Sequence, residues 1–386
     1  MLPILCTIAF LVIAQAFMVA PLIPRLAEVF DTNVAWVGLA VPAYLVPYGI
    51  ATLAWGPLSD RLGRRAVILG SLALFIGLTA ATASATSVTA FLAWRVATGI
   101  GASGVVPISL TLIGDVIPFR DRGRAIGWLF GAIAGGTAAG ATVGALLEPL
   151  VGWQSLFLAV SAFTAILCIA SFTMAAIPRL PRPAKPRLSA ILRGYVSLLS
   201  LPRARRAYAY VMINAVVQSG IYSWLGVYLR ERFGLGEVGI GLALLGYGIP
   251  GLLFGPTIGR LADRHGRSWI IPVGVALTAV CALMLAAPLT LLVAQVAIIA
   301  LSLGYDLTQP LLAGIVTDLP GNRGQATALM AFLLFTGFGL GSLLFQAALT
   351  RGFVTALTLF GCGALVAAGF ATRSFRSERP QLPVPV

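Results

Sequence analysis

Asp306 lies in the run Gly304-Tyr305-Asp306-Leu307-Thr308-Gln309-Pro310, and Arg95 in Leu92-Ala93-Trp94-Arg95-Val96-Ala97, each with a long apolar stretch on either side. An ionisable side chain in such a stretch is costly and tends to face a cavity or a partner. The chemistry open to the carboxylate is proton exchange or the holding of a cation. Its structural alternative is to cap backbone groups freed near Pro310. Arg95 has the alternative of laying its stem along apolar surface with its head toward water. Three amides, Gln15, Asn214 and Gln218, are also set in apolar runs. Asn214 and Gln218 stand one helical turn apart, so their amides share a face, and Tyr222 continues the stripe. Contact with a solute and hydrogen bonding between helices both fit these amides.

Other chemistries find no residues. Cys6, Cys168, Cys281 and Cys362 sit in separate apolar runs without metal-ligand spacing, and the single histidine, His265, lies in a charged loop. The cysteines read as small core residues. No metal site and no catalytic constellation can be assembled, so neither an enzyme nor a resident cofactor is expected.

A second charged feature is repeated. The tract GPLSDRLGRR at 56 to 65 recurs 203 positions later as GRLADRHGRS at 259 to 268, and Tyr44 and Pro47 upstream answer to Tyr247 and Pro250. Gln15 meets Gln218 and Asp115 meets Asp318 at the same offset. Identities at Tyr, Pro, Gly, Asp and Arg are not explained by shared apolarity, so the chain reads as two copies of one unit. Asp60 and Arg64 are four apart and can pair on one helical face. Gly56 and Gly63 would allow a sharp reversal. Asp263, Arg264 and Arg267 repeat the groups, which predicts two charged latches facing one another. A cluster of positive charge that merely sets topology would not require the aspartates.

The elements that position these groups follow from composition. With 59% hydrophobic residues, 10% charged and a mean hydropathy of +0.97, the chain cannot be enclosed by the surface of a soluble globule. A spanning helix needs about 20 mostly apolar residues. Spans are expected near 3 to 24, 35 to 55, 66 to 85, 88 to 113, 125 to 147 and 153 to 176, then near 207 to 229, 238 to 258, 269 to 287, 290 to 315, 326 to 348 and 352 to 371. The expected fold is therefore all-α and integral to a membrane, with twelve transmembrane helices in two pseudo-symmetric six-helix bundles at 1–176 and 207–372. Residues 177–206 form a linker rich in arginine with no acidic residue, and 373–386 a tail. Such a basic segment suits anionic membrane lipids, and the net charge of +14 needs no nucleic acid as partner. With the linker inside, 21 of the 26 Lys and Arg residues share its side, against Arg25, Arg230, Arg232 and Arg351. The positive-inside rule then places both termini in the cytoplasm and the chain in the inner or plasma membrane. The first helix lacks the basic start and cleavage site of a signal peptide and reads as retained.

The residues now named resemble those of the major facilitator superfamily of secondary transporters, across the whole chain. Gly56, Leu58, Asp60, Arg61, Gly63, Arg64 and Arg65 match its signature G-x-L-x-D-R-x-G-R-R between helices 2 and 3. The run PLIPRLA at 21 to 27 is similar to a motif of its drug:proton antiporter subgroup, as are Arg95, Gly99 and Gly101 in helix 4. One motif departs: helix 5 reads Gly135-Gly136-Thr137-Ala138-Ala139-Gly140, without the subgroup's proline. What remains is a ladder of Gly136, Gly140 and Gly144, with Gly337 and Gly341 repeating it in helix 11, suited to close packing. The resemblance implies that helices 1, 4, 7 and 10 line a central cavity, which would collect Gln15, Arg95, Asn214, Gln218, Tyr222 and Asp306. It further implies proton-coupled efflux of small lipophilic or cationic compounds by alternating access, in a chain that works as a monomer. The alternative is a transporter of one metabolite, such as a sugar or amino-acid derivative.

Overall fold

The computed structural model describes residues 1–173, 177–178, 188–321 and 323–378. Among these, the first four spans are Leu2–Val29, Val34–Leu62, Arg64–Thr82 and Val88–Val116. The helical stretch Phe119–Thr173 reverses at Gly152 (φ 76°, ψ 155°) and supplies the fifth and sixth. Pro202–Phe233 is the seventh, Glu237–Leu244 and Ile249–His265 together the eighth, and Ile270–Ala286 the ninth. Leu291–Thr317, Arg323–Leu349 and Phe353–Ser374 complete the twelve. The seventh begins ahead of the expected 207 because Pro202 is pre-set for the first turn of a helix. The linker contains a further helix, Leu188–Ser200, while its residues 179–187 lie outside the described residues.

Local signals set the boundaries. Asn33 and Ser87 cap the second and fourth spans by accepting from the amides of Trp36 (2.8 Å) and Ala90 (3.2 Å). The repeated charged tract is itself helical: the second span runs on to Leu62 and the chain turns at Gly63 (φ 96°, ψ 146°), a region open essentially to glycine alone. This corrects the expectation that Gly56 shares in the reversal. Gly56 is mid-helix, and a Cβ there would meet the Ala328 Cβ at 3.1 Å. Gly266 (φ 79°) ends the eighth span at the position equivalent to Gly63.

With lipid outside, the hydrophobic effect does little to join helices, so close contact between small residues takes over. A Cβ on Gly136 or Gly140 would stand 2.5 Å from the Phe10 carbonyl oxygen or 2.2 Å from that of Ala14, and one on Gly144 2.8 Å from Met18 Cγ. The first and fifth spans therefore run backbone against backbone. Gly341 repeats the arrangement between the eleventh and seventh, where a Cβ would be 2.2 Å from the Val216 oxygen. The halves meet along two related seams. In one, the second span lies on the eleventh, with the Tyr48 and Phe335 rings 4.0 Å apart. In the other, the fifth lies on the eighth, where a Cβ on Gly248 would reach the Ala138 Cβ at 2.5 Å. Large apolar side chains such as Phe163, Phe172 and Phe370 remain exposed on the outer helices, as expected of surface that faces lipid.

Besides the eighth, three spans are interrupted along their length. The first changes from Leu2–Phe17 through a 3-10 turn at Ala20–Leu22 to Ile23–Val29. The fourth breaks between Ala102 and Val105, and the tenth between Asp306 and Gln309.

Candidate substrate and coupling site

Asp306 is the last residue of the helix Leu291–Asp306, just before the break that Pro310 imposes. The backbone freed there is satisfied by the Thr308 hydroxyl, which donates to the Tyr305 carbonyl (2.8 Å). The Asp306 carboxylate is not used for capping. It accepts from the Ser302 hydroxyl at 3.3 Å, and among the described residues no cationic side chain pairs with it. It faces a closed central cavity, also lined by Gln218, Tyr222, Tyr247 and Tyr305 of the second half and by Phe17, Ile133, Ala134 and Thr137 of the first. The space open to the centre of a water molecule is ≈ 20 Å³, about enough for one water.

The walls are aromatic. Tyr222 packs 4.1 Å from Tyr247 and 5.5 Å from Phe17, and Phe338 lies 5.8 Å from Phe17 and 6.0 Å from Tyr305. The Tyr222 hydroxyl donates across the halves to the Thr137 carbonyl (2.9 Å), and the Gln218 amide donates to the Tyr247 hydroxyl. Among the described residues, Gln218 Oε1 and the Tyr305 hydroxyl find no hydrogen-bond partner. On the eighth span, Gly251 leaves space against the carboxylate: a Cβ there would stand 2.7 and 2.8 Å from its two oxygens.

Gln15 and Arg95 form a separate cluster. Fully buried, the Arg95 guanidinium donates to Gln15 Oε1 (3.1 Å) and to the carbonyls of Gln15 (3.3 Å), Ala16 (2.7 Å) and Ala40 (3.1 Å). Its carbon also stands 4.4 Å from the Tyr44 ring centre. Two of those carbonyls belong to the last turn of the helix Leu2–Phe17, where intrahelical donors run out and a cation is favoured. Arg95 thus ties the first, second and fourth spans together. Asn214 belongs to the break in the tenth span, donating to Thr308 Oγ1 (2.5 Å) and Gln309 Oε1 (3.3 Å). Of the six residues expected together, Gln218, Tyr222 and Asp306 line the central cavity, with Gln15, Arg95 and Asn214 in its supporting helices. Phe17, Tyr305 and Phe338 were not anticipated, since an aromatic in an apolar run carries no sign of which way it faces.

At the end of the molecule that bears the linker, Asp60 and Arg64 are both buried and 2.5 Å apart, and Arg64 also reaches Asp115 at 3.3 Å and the Ser59 hydroxyl. Arg65 donates to the carbonyls of Phe172 (3.0 Å) and Ile177 (3.2 Å), while Arg61 lies exposed on the last turn. In the second half Arg267 pairs with Asp318 at 3.2 Å, matching Arg64 with Asp115. The side chains of Asp263 and Arg264 lie outside the described residues. Among the described residues, the pair seen in both halves is arginine with the aspartate at the end of the fourth or tenth span.

Two repeat-related six-helix bundles around a central cavity define an integral membrane protein with the architecture of a secondary transporter. The sequence profile described as Major Facilitator Superfamily matches residues 5–342 and, in a second alignment, 212–385. The chain belongs to that superfamily. It is 26% identical over 370 residues to an uncharacterized MFS-type transporter, YwfA, of Bacillus subtilis, covering 95% of this chain and 89% of that one. A chloramphenicol resistance protein of Streptomyces lividans is 29% identical over 255 residues, 64% of this chain and 63% of its own. The crystal structure of the human organic anion transporter MFSD10 shares the fold with a TM-score of 0.78 at 19% identity, over 96% of this chain and 98% of that one.

Proposed function

We propose that the protein exports small lipophilic cations in exchange for protons by alternating access, with Asp306 as the shared site. The observation that carries this reading is a carboxylate without a cationic partner in an aromatic-walled cavity built by both halves. An unpaired charge buried there is costly. Either a proton or a cationic solute removes the cost, so each displaces the other. Aromatic faces add about 0.5–2 kcal/mol of cation–π attraction, and their apolar area suits a lipophilic body. The name of the chloramphenicol resistance relative agrees with export of a drug-like compound.

A cavity of ≈ 20 Å³ holds no organic solute; pockets that do are about 300–1,000 Å³. The halves must part to load and to release. The glycine-packed contacts within each half, first span on fifth and seventh on eleventh, give rigid bundles that can rock, while Arg64–Asp115 and Arg267–Asp318 brace each bundle at the linker end. We place that end in the cytoplasm on the asymmetry of Lys and Arg, with the basic linker on anionic lipid and the chain acting as a monomer.

The test is proton release from proteoliposomes with an acidic lumen and a pH-sensitive dye, on adding lipophilic cations and then sugars. Cations are expected to release protons through the wild type and not through Asp306→Asn. A response to one sugar alone would establish a transporter of a single metabolite instead, and cation-driven release by Asp306→Asn would remove the carboxylate from coupling.

A further inference from the structure

The end opposite the linker is closed by contacts of a different kind. At the linker end the described contacts between the halves run to hydroxyls and backbone carbonyls: the Thr111 and Thr327 hydroxyls are 2.8 Å apart, and Thr52 Oγ1 faces the Ala328 carbonyl at 3.4 Å. Arg323 adds a bond to the Gly114 carbonyl (3.2 Å). The ion pairs described there, Asp60–Arg64, Arg64–Asp115 and Arg267–Asp318, each lie inside one half. At the opposite end, Arg230 of the seventh span reaches across to Glu28 of the first at 2.7 Å. Glu28 is held from its own half by Arg25 (3.4 Å), which also contacts Glu148 (3.4 Å). Around this network Gln346 donates to the Ala35 carbonyl (3.0 Å), and Gly38 lies so close under Trp224 that a Cβ would be 2.6 Å from the ring.

We propose that Glu28 and Arg230 form the gate between the halves at the end opposite the linker, with Arg25 keeping Glu28 in place when Arg230 leaves. This rests on the alternating access proposed above. All three side chains of the gate are 42–48% exposed, so the pair is weak and screened by salt, as a contact that must break in every cycle has to be. When Arg230 departs, the first half keeps Arg25 against three carboxylates, Glu28, Asp31 and Glu148, and its side of the opened mouth is left anionic and attractive to cations and protons.

Val227 reports the gate: it lines the vestibule beside Glu28 and Arg230 and is buried in this closed state. Val227→Cys, in a chain whose four native cysteines are replaced by alanine, is reacted in membranes with an impermeant maleimide applied to the end opposite the linker. Glu28→Gln and Arg230→Gln are each expected to raise the labelling rate about two- to fivefold, the shift an exposed ion pair can carry. The double variant is expected to label no faster than either single. Raising ionic strength should speed labelling of the parent and leave the variants unchanged. Labelling that is brisk but indifferent to both substitutions, or single effects that multiply in the double variant, would overturn the gate. The labelling needs neither cargo nor a proton gradient, so it tests the gate even if drug:proton exchange fails. An absence of labelling in every variant would overturn the gate and alternating access together.

Discussion

At Asp306 the costs of charge and of exposure oppose one another, and the surrounding glycine and aromatics set the balance. Gly251 is the near wall of the carboxylate, so Gly251→Ala places a methyl 2.7–2.8 Å from both oxygens and 2.5 Å from the Ala134 Cβ. We expect the variant to lose some stability, because Ala134 across the seam must also give way, and to lose most proton-coupled transport per folded molecule. Efflux assays normalised to the amount of protein check this, and wild-type efflux would mean that the carboxylate swings clear of the eighth span during the cycle. The acid itself was legible in the sequence because a lone aspartate in an apolar run is conspicuous. The separation of Gln15 from Gln218 was not: the two sit at equivalent positions of the repeat, yet one bonds Arg95 and the other Tyr247. The repeat specifies equivalent places, and divergence of the partners gives them different surroundings.

Among elements, the glycine ladder and the turn glycines carry the most information. Gly140→Ala would drive a Cβ to 2.2 Å from the Ala14 oxygen, and the backbones of the first and fifth spans must then separate, at about 1–3 kcal/mol of overpacking. A lowered melting temperature in detergent is the expected outcome; at the lipid-facing Gly70, where a Cβ meets nothing within 4 Å, alanine should not lower it. The ladder was readable from spacing alone, because four-residue repeats stay on one helical face. The charged tract misled on one point. Its glycines and charges read as a loop between spans, but the second helix continues to Leu62 because Gly56 and Ser59 pack and bond there as ordinary helical residues, the Ser59 hydroxyl donating to the Gly56 carbonyl (2.7 Å). Only the positive φ at Gly63 ends it.

For the molecule as a whole, contacts between the halves shut both ends at once, and the alternating access proposed above requires the halves to part at one end at a time. The Thr111 and Thr327 hydroxyls, 2.8 Å apart across the seam, are placed for a crosslink. Thr111→Cys with Thr327→Cys, oxidised in the membrane, should lock the linker end and stop efflux, and reduction should restore it. Efflux that persists in a crosslinked sample would show that the linker end does not open.

The sequence by itself determined that the chain crosses a membrane twelve times and is a doubled unit. Hydropathy is a local property of each segment, and repeated Tyr, Pro, Gly, Asp and Arg identities survive in a linear comparison. It also singled out Asp306, Arg95 and the paired arginine and aspartate motifs, because charge is rare in such a chain. The tertiary structure decided which of these meet. Breaks near residues 18–19, 103–104 and 307–308 change the direction in which side chains leave the first, fourth and tenth spans, and each residue added or lost around a break turns the following face by about 100°. No periodicity carries through such a break. That is why Arg95 found the carbonyls of Gln15 and Ala16 at one break and Asn214 found Thr308 at another, and why Phe17, unremarkable in sequence, became a wall beside Asp306.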